Sequence, residues 1–205
     1  MDRISPIEAA EQSPREQAGQ ALPHWRTLLQ AARQREGDAP QARWLQLASL
    51  GRDGAPRVRT LVFRAWVGPD RLDLLTDSRS KKASELSAEP RLELCWLLPH
   101  SRCQFRMRGQ RLQLPYGEEK AARVLQWQQL KATERALWAW PEPGAPLDAR
   151  AHFPAELAET TPIPTCFVLL RIQLKQVELL ELTGMPHKRR LWCADQNWKE
   201  QRLNP

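Results

Sequence analysis

No apolar run in this 205-residue chain approaches the roughly 20 residues that a helix needs to cross a bilayer, so a membrane-spanning protein is not expected. The opening residues, MDRISPIEAAEQSPREQ, lack the apolar segment of a secretory signal, and cytoplasm is the expected compartment. Cysteine is sparse: Cys95, Cys103, Cys166 and Cys193 show no CxxC spacing and fall mostly in apolar strand patterns. Buried, reduced thiols are expected there rather than disulfides or a metal set. The histidines His24, His100, His152 and His187 form no i,i+4 pair, which leaves zinc without support. GxGxxG, GxSxG and Walker patterns are missing too, and no internal repeat is visible.

What the chain does carry is positive charge, with a net +7 and a pI of 9.7. That balance keeps nucleic acid open as a partner. The cations are spread along the chain and alternate with acids, however, and no helix-turn-helix, zinc-finger or RNP-type pattern accompanies them. A nucleic-acid-binding β-barrel is therefore the weaker alternative. The length suits one domain with a sizeable core, read here as residues 20–205 behind a mobile, proline-containing arm at 1–19.

The densest chemistry lies between Pro56 and Gly109: strand, strand, helix start, strand, strand. Thr76, Ser78, Ser80, Lys81 and Lys82 cluster where the helix begins. A helix N-terminus presents unpaired N–H groups and partial positive charge, so lysines belong there only if an anion is expected. Hydroxyls and two cations at that end suit a phosphate. A lysine-rich, solvated first turn is the plainer alternative.

The flanking periodicities are clear. Trp25, Leu28, Leu29 and Ala32 make one helical stripe after Pro23, ended by Gly37. Arg43–Leu50 alternates as a strand, and Gly51-Arg52-Asp53-Gly54 signals a hairpin. In the following strand Arg59, Leu61 and Phe63 share one face and Thr60, Val62 and Arg64 the other, so Arg59 and Arg64 diverge unless a bulge intervenes. Leu92, Leu94, Trp96 and Leu98 form an inward set, and Gln104 lies on the polar face opposite Cys103, Phe105 and Met107. Gly109 marks a bulge candidate. A helix over Tyr116–Ala132 is predicted with Ala121, Val124, Leu125 and Gln128 inward, and Thr133 as cap of a further turn to Trp140. Residues 141–164 are a proline-rich loop, read as lid or plain surface loop. Thr165–Lys175 reads as a strand that Val177–Leu182 continues or bends, and the C-terminal tryptophan-rich segments as a closing hairpin.

The block Arg59-Thr60-Leu61-Val62-Phe63-Arg64, Leu75-Thr76, Ser80-Lys81-Lys82 and Gln104, with the ending Trp198-Lys199-Glu200-Gln201-Arg202-Leu203-Asn204-Pro205, resembles the pyridoxamine 5'-phosphate oxidase family. The departures are Arg64 for a Lys, Leu75 for a Tyr and Lys81 for an Arg. The resemblance implies a mainly β, α+β fold: an FMN-binding split β-barrel with flanking helices. It implies FMN as cofactor, contacted by Arg59, Thr60, Leu61, Val62, Arg64, Leu75, Thr76, Ser80, Lys81, Lys82, Gln104 and Arg189. Ser80, Lys81 and Lys82 would take the 5'-phosphate, and Arg64 or Gln104 the pyrimidine edge. The same fold also accommodates deazaflavin. A homodimer with flavin sites between subunits is implied as well.

Other family positions are lost. Met185 stands for a substrate-binding Arg, Leu180 for a Trp near the flavin, and Ala122 and Gln126 for the Tyr and Arg that grip the substrate phosphate. Each lost contact to the substrate phosphate removes a charge-assisted hydrogen bond of roughly 1.5–3 kcal/mol. The expectation is a flavin-dependent oxidoreductase with a small-molecule substrate other than pyridoxamine phosphate, or a flavin carrier or sensor without turnover. No residue stands out as a general base.

Overall fold

A computed structural model describes residues 21–205; the arm assigned to 1–19 lies outside the described residues. Six antiparallel strands close into a barrel: β1 (Trp44–Leu50), β2 (Pro56–Val67), β3 (Arg71–Asp77), β4 (Arg91–Leu98), β5 (Cys103–Arg111) and β6 (Phe167–Glu181). The order runs β3-β2-β1-β4-β5-β6, and pairing of β3 with β6 closes the circle. β7 (Lys188–Cys193) and β8 (Gln201–Leu203) extend the sheet beyond β6 as the expected hairpin.

Alternation decides what fills the barrel. Leu45 and Leu47, Leu72 and Leu74, Leu92, Leu94, Trp96 and Leu98, and Phe105 and Met107 all point inward and are buried. β6 runs on through Val177–Leu179 as one continuous strand, as expected, with its irregularity at Lys175, which drops out of register between Gln176↔Arg108 and Leu174↔Gly109. Gly109 is required at that close approach, since a Cβ there would lie 2.4 Å from the Gln173 carbonyl oxygen.

Different helices close the two ends. At one end α1 (His24–Glu36) lays Trp25, Leu29 and Ala32 over the barrel, as its stripe predicts. Trp25 packs on Trp66 and Trp198, Arg26 stacks 3.7 Å over Trp66, and Arg33 covers Phe63 and Trp96. At the other end lies α2 (Lys81–Ala88), which buries Leu86 and Glu85.

A second apolar cluster sits outside β3 and β6, under α3 (Tyr116–Gln129). Leu75, Phe167 and Leu169 meet Trp127, Leu130 and Trp138 there. This corrects the expected inner face of α3. Val124 and Leu125 are exposed, while Gln126 and Trp127 are buried, because the helix is rotated to seat Trp127 on Phe167. The same helix is latched by Arg171, which pairs with buried Asp73 and reaches Glu118.

The further turn exists as α4 (Ala132–Arg135) and a 3-10 turn at Ala136–Ala139, but it starts after Lys131, leaving Thr133 inside it. Residues 141–166 contain no helix or strand. They are pinned rather than loose: Arg135 donates to the Leu157 carbonyl at 3.0 Å, and Trp140 donates to Pro154 O and packs on Phe153.

Candidate functional site

Most of the predicted residues fall into two neighbourhoods. The first is the α2 end of the barrel, built from the inward positions at three strand ends and the helix start. Ser49 continues the inward set of β1, Arg59 that of β2 and Thr76 that of β3, so hydrophilic groups replace leucine where each strand meets α2. Ser80 is the residue before the helix, with an extended backbone. Its hydroxyl donates to the Asp77 carbonyl at 2.6 Å, lies 3.3 Å from Thr76 Oγ1, and accepts from Lys82 Nζ at 3.3 Å.

Lys82 is half-buried here, and no carboxylate among the described residues forms an ion pair with it. Burial first, then the Arg59 charge, holds its ammonium below the ordinary 10.5. A desolvated cation beside a second cation is stabilised by an arriving anion. The N–H groups of the first helical turn add donors without intrahelical partners. Lys81 is exposed at the same end, beside a cavity of about 310 Å³ bordered by Arg52, Arg57 and Ser84.

The neighbouring pair is already satisfied. Arg79 grips Asp77 with two nitrogens and donates to the Trp140 carbonyl at 3.0 Å. Burial opposes ionisation of Asp77, yet these hydrogen bonds keep its carboxyl below the usual range. Trp138 Nε1 donates to Thr76 O at 3.3 Å, and Ser78 N–H donates to Cys166 O at 2.9 Å. Residues on either side of the proline-rich segment, Trp138, Trp140 and Cys166, therefore buttress the turn that leads into Ser80 and Lys82.

The second neighbourhood is the outer face of the sheet. Gln104 pairs across to Leu97 and Leu180, and Leu180 to Arg189, so these side chains stand in one row. Thr60, Gln46, Cys95, Arg106 and Glu178 form the next row. Glu178 accepts from both Arg106 and Arg189, which pull its carboxyl down against the effect of burial. Gln104 Nε2 donates to Cys95 Sγ at 2.8 Å. Apolar side chains on this face are unusually open: Val58 is 68% exposed, Leu97 50% and Trp44, opposite Val62, 48%.

Three predicted residues sit elsewhere. Leu61 points inward against the core, and Leu75 is buried under Trp138 and Trp127. A bulge does fall at Arg64, where Phe63 pairs with Leu74 and Ala65 with Asp73. It does not bring Arg64 to Arg59: Arg64 pairs with Glu134 at 2.8 Å and Arg59 with Glu85 at 2.5 Å. Sequence reasoning gave Ser49 and Glu85 no role. The signal was Ser49 interrupting the inward series Leu45, Leu47. All four cysteines are free, but only Cys103 is buried, which pushes its thiol up to about 11; the others are half-buried, a correction to the expectation of buried thiols.

The donor set at the α2 end (two or three cations, two hydroxyls and a helix start) fits a phosphate monoester. Comparisons with known proteins give the chain's relatives. Residues 22–114 match the family described as pyridoxamine 5'-phosphate oxidase, FMN-binding domain. The chain is 27% identical over 196 residues to pyridoxine/pyridoxamine 5'-phosphate oxidase 2 of Arabidopsis thaliana, covering 88% of this chain and 96% of that protein. Among solved structures, a pyridoxamine 5'-phosphate oxidase-related, FMN-binding protein of Nostoc punctiforme is 34% identical, with a TM-score of 0.82 over 91% of this chain and 100% of that one. PhzG of Burkholderia lata, solved with tetrahydrophenazine-1-carboxylic acid, shares the fold at 20% identity and a TM-score of 0.75, over 97% and 100% of the two chains.

Proposed function

The chain belongs to the pyridoxamine 5'-phosphate oxidase-related, FMN-binding family with its split β-barrel, and from that premise we propose that it is an FMN-dependent oxidoreductase acting on a small molecule other than pyridoxamine phosphate. The observation that carries the flavin reading is the half-buried Lys82, desolvated beside Arg59 and bonded, among the described residues, to the Ser80 hydroxyl. Ser80, Lys81, Lys82 and Arg59 hold the 5'-phosphate, with Thr76 in support. Gln104 and Arg189 serve the ring system, and Thr60 and Val62 line the same outer face. Arg64 is committed to Glu134 and acts through that pair.

Bound flavin supplies hydride transfer; the protein supplies placement and charge. The α2 end compensates the phosphate, and the Trp138–Trp140 buttress keeps Ser80 in place. On the outer face Gln104 offers an amide donor, and Glu178 orients Arg189. The open apolar side chains Trp44, Val58 and Leu97 around that row suit a second copy of the chain, which supports the reading of a homodimer with flavin sites between its subunits. Four free thiols suit a reducing compartment, and we assign the protein to the cytoplasm.

The substrate assignment rests on α3. Gln126 is buried, and Ala122 packs into the apolar cluster, so neither offers a cation to a substrate phosphate. The same observation favours a second reading, a flavin carrier without turnover. Purified protein separates the two. Flavin colour with rapid reduction by NAD(P)H or an amine, and turnover with an acceptor, marks the enzyme. Colour without turnover marks the carrier, and a colourless protein that refuses FMN contradicts both.

A further inference from the structure

A buried carboxylate stands in the middle of this anion site. Glu85 follows Lys81 and Lys82 by one helical turn and is 6% exposed. Ser49 Oγ donates to Glu85 Oε2 at 3.0 Å, Arg59 Nη2 donates to the same oxygen at 2.5 Å, and Arg59 Nη1 donates to Ser49 Oγ at 2.6 Å. The three side chains close a triangle that ties β1, β2 and α2 together. By Coulomb repulsion alone a carboxylate is adverse next to a bound phosphate. Its place is explained by what it does to Arg59, a rotamer-rich cation that Lys82 would otherwise push away from the end of the barrel.

Charge supports this. Arg59, Lys81 and Lys82 against Glu85 leave two positive charges, while Asp77 and Arg79 cancel each other. A phosphate monoester carries about −1.5 to −2 at neutral pH. We propose that Glu85 is a positioning residue for the phosphate subsite: with Ser49 it fixes Arg59 beside Lys82 and sets the net charge to that of a monoester dianion. The proposal rests on the flavin mononucleotide reading above and assigns Glu85 its part in discriminating FMN from riboflavin.

The test is a double-mutant cycle read by binding of both flavins to the full chain. Wild type binds FMN more tightly than riboflavin. Glu85→Gln, which keeps a partner for Ser49 but removes the charge, weakens FMN about tenfold and riboflavin by less than about twofold. In an Arg59→Ala background the same change produces no further loss, because its effect passes through Arg59. Ser49→Ala, read the same way, gives a smaller loss confined to FMN, and it stands in if Glu85→Gln does not fold. Equal loss for both flavins, or losses that multiply in the double variant, overturns the positioning role alone. Wild type that binds FMN and riboflavin equally overturns the phosphate reading and this proposal with it.

Discussion

At the α1 end of the barrel, Trp25, Trp66, Trp96 and Trp198 interlock with Phe63 and are roofed by the stems and guanidinium planes of Arg26 and Arg33. At the α2 end the inward positions are Ser49, Arg59 and Thr76, and the helix contributes Ser80, Lys82 and Glu85. The strands are the same; only the residues at their two ends differ. One end removes apolar area from water at roughly 25 cal/mol per Å², which is a contribution to stability. The other keeps cations close together and partly desolvated, which costs stability until an anion arrives. The difference teaches where a ligand is expected: where a partly desolvated cation has no ion-pair partner among the described residues.

The comparison is broken most severely at the sealed end. Trp25→Ala removes a fully buried ring and lowers stability by about 3–5 kcal/mol, seen as an earlier urea or thermal transition. The molecules that remain folded keep their flavin affinity. Lys82→Glu does the reverse: FMN is lost by at least about 100-fold, the worth of two charge-assisted hydrogen bonds, while circular dichroism and the thermal midpoint change little. A Trp25 variant with selective flavin loss, or a Lys82 variant that unfolds, would erase the distinction between the two ends.

Acidity sharpens it further. A lysine held below 10.5 in the folded protein carries its destabilisation in the charged form; the penalty is present at lower pH and fades as pH rises through the lowered value towards 10.5. Phosphate reverses that preference by favouring the ammonium. FMN binding, followed by fluorescence quenching, therefore weakens as pH climbs through that window, and riboflavin binding stays flat. The smallest effect belongs to the outer face, where Arg189→Ala costs FMN about threefold to tenfold, because one partly exposed contact is lost and Arg106 still pairs with Glu178.

Much of this was legible before the fold. Alternation identified the barrel strands, and the stripe of Trp25, Leu29 and Ala32 identified the α1 plug, because periods of 2 and 3.6 are imposed by the backbone itself. The Ser80-Lys81-Lys82 cluster was legible because lysine opposes the dipole of a helix start. The inner face of α3 was not, since Val124, Leu125, Ala122 and Trp127 offer competing apolar faces and only contact with Phe167 selects one. Nor were the partners of Arg59 and Arg64: Glu85 and Glu134 lie 26 and 70 residues away along the chain, and nothing local in a strand announces a distant carboxylate. The pinning of the proline-rich segment was not legible because its ties are hydrogen bonds from Arg135 and Trp140 to the Leu157 and Pro154 carbonyls, which carry no sequence pattern.

One titration addresses the centre of the account. Protein stripped of small molecules is titrated with FMN and, separately, with riboflavin, which differs only by lacking the phosphate. A compensated anion at the α2 end predicts that FMN binds at least about 100-fold more tightly, and that Lys82→Glu collapses this ratio towards one. Equal affinities in the wild type, or no uptake of either flavin, would contradict it.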